Sequence, residues 1–264
     1  MDARNDGLAV HELSVRYGGH LAVDRISLAA PKGRITGLIG PNGAGKTTTF
    51  NACSGLLRPT SGTITLFGED VTSRSAHHRA QRGLGRTFQR MELFDSLTVA
   101  ENVALGREAG LAASTPWRHV FGRRADAATV RKAVEEAVAA CGIHSMLTRR
   151  PTDLSTGQRR LVELARCIAG GFSIMLLDEP SSGLDKAETE RFGAILRGLV
   201  RDRGVGILLV EHDMALVMST CDYIHVLDFG KPIFEGTAPE VGRSELVRAA
   251  YLGSEAVEID ARIA

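Results

Sequence analysis

The 264-residue sequence predicts a mixed α/β fold, in which a parallel sheet covered by helices is preceded by a small antiparallel β unit and interrupted by a helical insert. Three features carry that expectation. Short apolar runs alternate with helical periodicities on both sides of the middle of the chain. The opening residues keep the two-residue rhythm of paired strands. From about residue 90 to 155, strand character gives way to helix.

The elements follow in order. Leu8, Val10, Leu13, Val15 and Tyr17 line one side of an extended segment, Gly18 and Gly19 turn it, and a second short strand is expected near Ile26 to Leu28. Arg34 to Ile39 reads as a compact apolar strand running into a glycine-rich loop and a helix, and Thr63 to Phe67 as a further strand closed by Gly68. Thr98 and Glu101 have capping-box spacing, and Val99, Val103 and Leu105 continue at helical intervals. A Gly/Ala/Ser-rich stretch, Gly106 to Ala125, intervenes before an amphipathic stripe of Ala127, Val130, Val134, Ala137, Val138 and Cys141 that ends at Gly142. A helix from Gln158 to Ala169, a strand from Phe172 to Leu177, a helix around Lys186 to Val200 and a strand from Gly206 to Val210 come next. A last strand, Tyr223 to Leu227, continues as a hairpin through Ile233. Parallel sheets place ligands at the carboxyl ends of their strands, so chemistry is expected just after Ile39, Leu177 and Val210.

Composition removes several function classes. Lys and Arg total 32 against 31 Asp and Glu, a net charge of +1, which speaks against a protein built to wrap nucleic acid. At 44% hydrophobic and 24% charged residues the chain is globular and not disordered. Cys53, Cys141, Cys167 and Cys221 form no CxxC pair, so they read as buried thiols of a reducing compartment and not as a disulfide or zinc framework. The opening MDARNDGLAV lacks the apolar stretch of a signal peptide. The longest uncharged apolar-rich run, Cys167 to Leu177, is far short of the roughly 18–20 residues that span a bilayer. A cytoplasmic chain is expected; if it serves a membrane, another chain crosses.

Gly40-Pro-Asn42-Gly43-Ala44-Gly45-Lys46-Thr47 matches GxxxxGK[ST] between a strand and a helix. Successive N–H groups in such a loop form an anion nest to which the helix N-terminus adds positive charge, and side chains would obstruct the approach. Lys46 is expected to reach the β- and γ-phosphates and the Thr47 hydroxyl to coordinate Mg²⁺. Asp178 and Glu179 end a buried strand; adjacent carboxylates there are costly to desolvate and imply a cation or a proton-transfer task. Asp178 suits the Mg²⁺ shell and Glu179 suits polarising an attacking water.

Leu154-Ser155-Thr156-Gly157-Gln158 precedes a helix. It reads as a well-made capping box or, by the same physics, as a second phosphate-binding surface. Gln89 sits where core hands over to insert and could touch metal and water; His212 follows a strand and could contact a γ-phosphate; Tyr17 could offer a flat face to an adenine ring. Residues 73 to 90 carry Arg74, Arg79, Arg82, Arg86 and Arg90 with His77 and His78 and no acid, either a patch for a membrane subunit or anionic headgroups, or a solvated helix face. Met91, Leu93 and Phe94 are either a socket for a partner helix or core.

The order of these motifs, with Ile174 to Glu179, Ser182-Gly-Leu-Asp185 and His212, resembles the nucleotide-binding subunit of an ABC transporter over roughly residues 8 to 237. The resemblance implies a P-loop NTPase (RecA-like) core over 1–89 and 159–237 that includes the antiparallel β subdomain, a helical subdomain over 90–158 carrying the signature motif, and a C-terminal extension over 238–264. It implies ATP and Mg²⁺ as ligands, with Tyr17 stacking on adenine, Asn42 to Thr48 (Asn42, Gly43, Ala44, Gly45, Lys46, Thr47, Thr48) around the phosphates, and Thr47, Gln89 and Asp178 on the metal side. Glu179 is then the catalytic glutamate, His212 the switch histidine, Ser155, Gly157 and Gln158 the signature contacts and Asp185 a dimer contact. One departure stands out: Thr156 occupies a position the family usually gives to glycine.

Since the family's signature and P-loop face each other across two subunits, the resemblance also implies a homo- or heterodimer with two ATP molecules between its halves. Integral membrane permease subunits are the direct partners, with a periplasmic or extracellular substrate-binding protein acting indirectly and no nucleic acid involved. The chain would lie on the inner face of the cell membrane. Gly83-Leu-Gly-Arg-Thr-Phe-Gln89, Leu97-Thr-Val-Ala-Glu-Asn102 and Ala250-Tyr-Leu-Gly253 narrow the resemblance to branched-chain amino acid importer ATPases. Urea or amide importers and lipopolysaccharide exporters share several of these features. A soluble ABC nucleotide switch is the reading from a different class, and its usual coiled coil or second cassette finds no room in 264 residues. A P-loop kinase or GTPase lacks support because no NKxD-type motif is present.

Overall fold

The computed structural model describes residues 6–87, 92–114 and 123–251. Two sheets organise them. The first is antiparallel, in the order β2-β1-β4-β5, from β1 (Gly7–Tyr17), β2 (His20–Pro31), β4 (Ser61–Leu66) and β5 (Glu69–Asp70). The second runs β10-β9-β3-β8-β7-β6, from β3 (Ile35–Ile39), β6 (Leu84–Arg86), β7 (Ile174–Asp178), β8 (Gly206–Val210), β9 (Tyr223–Asp228) and β10 (Lys231–Gly236). Its neighbours from β9 to β6 are parallel, and β10 closes one edge as an antiparallel hairpin with β9.

The parallel strands β3, β7 and β8 are buried at every position, as both faces are covered. Their side chains alternate between two cores. Ile174, Leu176, Leu208 and Val210 pack toward the antiparallel sheet around Phe50, Ala52 and Cys53 of α1 (Lys46–Ser54). Met175, Leu177, Ile207 and Leu209 pack toward the helices on the other face. Helix α1 thus lies between the two sheets, and its end is finished by Arg79 of α2 (Ala76–Gln81). The Arg79 guanidinium, 1% exposed, donates to Ala52 O (2.6 Å) and Cys53 O (2.7 Å) in the last turn of α1 and to Thr72 O and Arg74 O in the loop before α2, tying the two together.

The middle of the chain is helical, with α3 (Val99–Ser114), α4 (Arg123–Cys141) and α5 (Thr156–Ala169) in mutual contact. Thr98 and Glu101 form the expected reciprocal cap on α3. Asn102, wholly buried, accepts from Phe94 N and donates to the carbonyls of Phe94, Leu97 and Thr98. The remaining helices are α6 (Lys186–Arg203), α7 (Met214–Thr220) and α8 (Ala238–Arg243). Among the described residues no helix is long and apolar enough to cross a membrane. All four cysteines are buried, and burial pushes each thiol up to about 12.

Several expectations need correction. The strand near Ile26 to Leu28 runs from His20 to Pro31. The apolar positions of β1 change phase between Val10 and Leu13 because a bulge shifts the register there, with Glu12 at φ +43°; Tyr17, at its end, is half exposed. Gly106 does not end α3: a Cβ there would lie 2.0 Å from Arg166 O, so glycine marks the close crossing of α3 on α5. The arginine-rich stretch is divided: Arg74, His77 and Arg82 are exposed, whereas others are not. Arg79 and Arg86 point inward, and Arg82 and His78 share Glu69. Arg90, Met91, Trp117 and the Leu252–Ala264 tail lie outside the described residues.

Candidate active site

Strand β8 lies between β3 and β7, so the carboxyl ends of three adjacent parallel strands deliver Gly40, Asp178 and Glu211 to one edge of the sheet. The loop after β3 can turn there because Gly40 (φ +152°) has no Cβ; one would sit 2.1 Å from Leu227 O. Gly45, left-handed at φ +93°, caps α1 with no side-chain hydrogen bond, and no acidic residue occupies the first turn. Asn42, Gly43 and Thr47 are exposed, Thr48 is half-buried and Ala44 is buried. Lys46, 7% exposed, folds its ammonium onto Gly40 O (2.6 Å) and Pro41 O (2.9 Å). Burial lowers its pKa, while Glu179 and Asp178 oppose that shift. Lysine and both carboxylates therefore share one electrostatic neighbourhood.

Asp178 is 2% exposed at the end of β7. Burial raises its pKa first; Arg86 pulls it down, and the charges of Glu179 and Glu211 raise it further. Arg86 holds the assembly from the side, with Asn51 Oδ1 at 2.7 Å, Ser54 Oγ at 2.8 Å, Asp178 Oδ2 at 3.4 Å and its guanidinium 4.7 Å from the Phe50 ring centre. Glu179 follows with a left-handed backbone (φ +46°), rare for a residue with a side chain, and its N–H donates to Val210 O at 2.8 Å. His212 is largely exposed beyond β8, next to the fully buried Glu211. Arg86 and Glu211 are the residues the sequence reading did not assign to the site. For Glu211 the signal was present: it follows five apolar strand residues, at the end of β8, much as Asp178 ends β7.

The Ser155 segment behaves differently. Its hydroxyl accepts from Gln158 N (3.2 Å) and Gln158 Oε1 accepts from Ser155 N (3.0 Å), a closed capping box on α5. A Cβ at Gly157 would lie 2.3 Å from Glu188 Oε1, so this turn presses against α6, whose cap is Asp185 accepting from Glu188 N at 2.8 Å. Thr156 is accommodated as the first residue of α5, its methyl close to Gly183. Among the described residues no hydrogen bond or ion pair joins Ser155, Gly157 or Gln158 to the Gly43–Thr48 loop. Gln89 lies outside the described residues. Tyr17, half exposed, is not among the residues that converge on Lys46.

Two hollows open on the molecule, one beside Arg86 and one remote from this edge. One of about 520 Å³ is bordered by Leu93, Phe94, Leu105, Glu163 and Arg166, with Phe94 itself 55% exposed. Another, about 560 Å³, opens at the opposite end of the strands among Val10, Leu28, Arg34, Tyr223 and His225 and contains none of the expected site residues. Neither hollow is lined by Lys46, Asp178 or Glu179.

A sequence model described as ABC transporter matches residues 23–182. The chain is 37% identical over 249 residues to the high-affinity branched-chain amino acid transport ATP-binding protein BraF of Pseudomonas aeruginosa, covering 93% of this chain and 97% of that protein. It is 36% identical over 253 residues to LivG of Escherichia coli, which carries the same description, and 34% identical over 248 residues to the lipopolysaccharide export system ATP-binding protein LptB of Haemophilus influenzae. Among solved structures, the ADP conformation of MJ1267, an ATP-binding cassette of an ABC transporter, superposes with a TM-score of 0.82 at 26% identity, covering 94% of this chain and 99% of that one. With a strand-to-helix phosphate loop, paired carboxylates two strands away and matches along nearly its whole length, the chain belongs to the ABC transporter family of ATP-binding, ATP-hydrolysing subunits.

Proposed function

We propose that this ATPase subunit drives import of branched-chain amino acids through separate membrane permease subunits, working as a pair with a second ATP-binding subunit at the inner face of the membrane. The observation that carries the catalytic part is the meeting of an uncapped helix start, Lys46, Asp178 and Glu179 at the carboxyl ends of β3 and β7, on either side of β8. The cargo is supported by the descriptions of BraF and LivG. The lipopolysaccharide-export relative, at 34%, supports an exporter less well.

In this reading the Gly43–Thr48 amides and Lys46 bind the ATP phosphates, charge against charge. Tyr17 supplies a face for adenine. The residues present fit Mg²⁺: the exposed Thr47 hydroxyl and the Asp178 carboxylate are hard oxygen donors, and two protein ligands plus phosphate oxygens are what this ion ordinarily takes. A dication also relieves the crowding of Asp178, Glu179 and Glu211. When bound it neutralises charge on the β- and γ-phosphates.

Glu179 then accepts the hydrogen of the attacking water, His212 donates to the γ-phosphate, and Gln89 reaches the metal side. Ser155, Gly157 and Gln158 of one subunit cover the phosphates held by the other, with Asp185 at the contact between them. The Phe94 hollow is the docking place for a permease segment, and a substrate-binding protein outside the cell delivers cargo to the permease. No nucleic acid takes part.

Co-expression with the permease chains, purification and reconstitution into vesicles test the proposal. ATP-dependent uptake of radiolabelled leucine, isoleucine and valine is expected. Uptake of urea in their place, or of none of the four despite ATP turnover, would overturn the cargo reading.

A further inference from the structure

Glu211 is fully buried, at 0% exposure, and no arginine or lysine lies within ion-pair distance of it among the described residues. A carboxylate in such a place is costly unless its oxygens are hydrogen-bonded. They are. Oε1 accepts from Ser181 N at 2.8 Å, Oε2 accepts from His212 N at 3.2 Å, and His212 Nδ1 stands 3.9 Å away. One side chain at the end of β8 therefore grips both the turn that follows Glu179 and the backbone of His212.

The grip falls where it is needed. Glu179 holds a left-handed backbone at φ +46°, a conformation that a side-chain-bearing residue keeps only when its surroundings impose it. Its own N–H is fixed to Val210 O at 2.8 Å. On the far side of the turn, Ser181 is fixed to the next residue along, Glu211. The turn is closed by Ser182 N donating to Glu179 O and Leu184 N donating to Ser181 O, and it leads directly to Asp185 at the start of α6. Val210 and Glu211 thus pin both ends of the strained step, the first through its backbone and the second through its side chain.

We infer that Glu211 is a positioning residue for ATP hydrolysis, holding Glu179 in its left-handed setting and keeping the Ser181–Asp185 turn in register with His212. It touches neither nucleotide nor water in this scheme; it acts through Glu179 and His212, and so rests on the roles proposed for them above. The same connection makes Glu211 a link between Asp185, at the proposed subunit contact, and His212, at the proposed γ-phosphate contact.

The test uses the full chain with Glu211→Ala and Glu211→Gln, and Glu179→Gln measured alongside. Glu211→Ala is expected to lower kcat about tenfold to a hundredfold with KM for ATP within twofold of wild type, since an unpaired buried donor and a relaxed turn affect turnover and not the phosphate loop. Amide exchange at Ser181 and His212 is expected to quicken at least tenfold, with Gly43–Lys46 unchanged. Glu211→Gln keeps an acceptor for Ser181 but turns an amide toward His212 N. It should therefore protect Ser181, expose His212 and recover only part of kcat, which also keeps the inference open to test if the alanine variant folds poorly. A kcat for Glu211→Ala within twofold of wild type overturns the inference, as does an unchanged Ser181 amide in that variant. Normal turnover by Glu179→Gln would remove the proposed role of Glu179 while leaving the Ser181 and His212 exchange result to judge Glu211 by itself.

Discussion

Helices α1 and α5 begin in opposite ways. Helix α1 starts from a left-handed glycine, without a side-chain cap and without an acidic residue in its first turn. Helix α5 starts from Ser155, whose hydroxyl and N–H are both satisfied by Gln158. The first-turn N–H groups of any helix need partners from outside its own ladder. In α5 the Ser155 hydroxyl supplies one; in α1 no side chain does, which leaves its start open to an anion, and the glycines keep the approach clear. A closed cap can stand by itself and meet a phosphate that is already held elsewhere. The difference fits the proposed scheme, in which Gly43–Thr48 binds the phosphates first and Ser155–Gln158 meets them from a partner subunit.

The largest effect that can break this division is on turnover. Glu179→Gln is expected to slow phosphate release about 10²–10⁴-fold, the usual share of a positioned base, while ATP still binds and a closed pair accumulates. Near-normal steady-state hydrolysis would detach Glu179 from the open helix start. Next comes Lys46→Ala. Loss of a charged hydrogen bond to phosphate is worth about 1.5–3 kcal/mol, so calorimetry should find ATP bound roughly ten- to a hundredfold more weakly. Unchanged affinity would take Lys46 out of the site.

A pH series sharpens the metal side. Burial raises the Asp178 pKa, so on acidification Asp178 gains its proton earlier than an ordinary aspartate and Mg²⁺-dependent ATP binding weakens from a correspondingly higher pH. Arg86 opposes that shift, so Arg86→Gln should move the fall to still higher pH. An identical midpoint in both proteins would show that Arg86 does not act on Asp178. The smallest effect belongs to the closed start. Ser155→Ala removes one cap, expected to cost about 1 kcal/mol of stability read from urea unfolding, with ATP affinity of the isolated subunit unchanged.

The proposed catalytic edge is legible in the sequence because its parts are local. A phosphate loop, a strand ending in Asp178-Glu179 and a capping box at Ser155 each declare themselves within a few residues. What it concealed depends on distant partners. Strand β6 is short and contains Gly85, so only pairing with β7 makes it a strand. The arginines between 73 and 90 looked alike, yet Arg79 closes α1, Arg86 supports Asp178 and Arg82 pairs with Glu69. Nothing in their spacing separates those fates. Gly106 opens the Gly/Ala/Ser-rich stretch expected to interrupt the helices, whereas α3 runs through it and close packing on Arg166 O requires glycine there. Glu211 was passed over beside His212, although an acid at the end of a wholly apolar strand is itself a signal.

The contrast between the two helix starts is tested most directly by amide exchange on the full chain with ATP and Mg²⁺, at rising protein concentration, using Glu179→Gln to prevent turnover. The account predicts that Gly43–Thr48 amides become protected at all concentrations, and that Ser155–Gln158 amides respond only where the chain pairs. Protection of both segments together in the unpaired chain, or none at Gly43–Thr48, would contradict it.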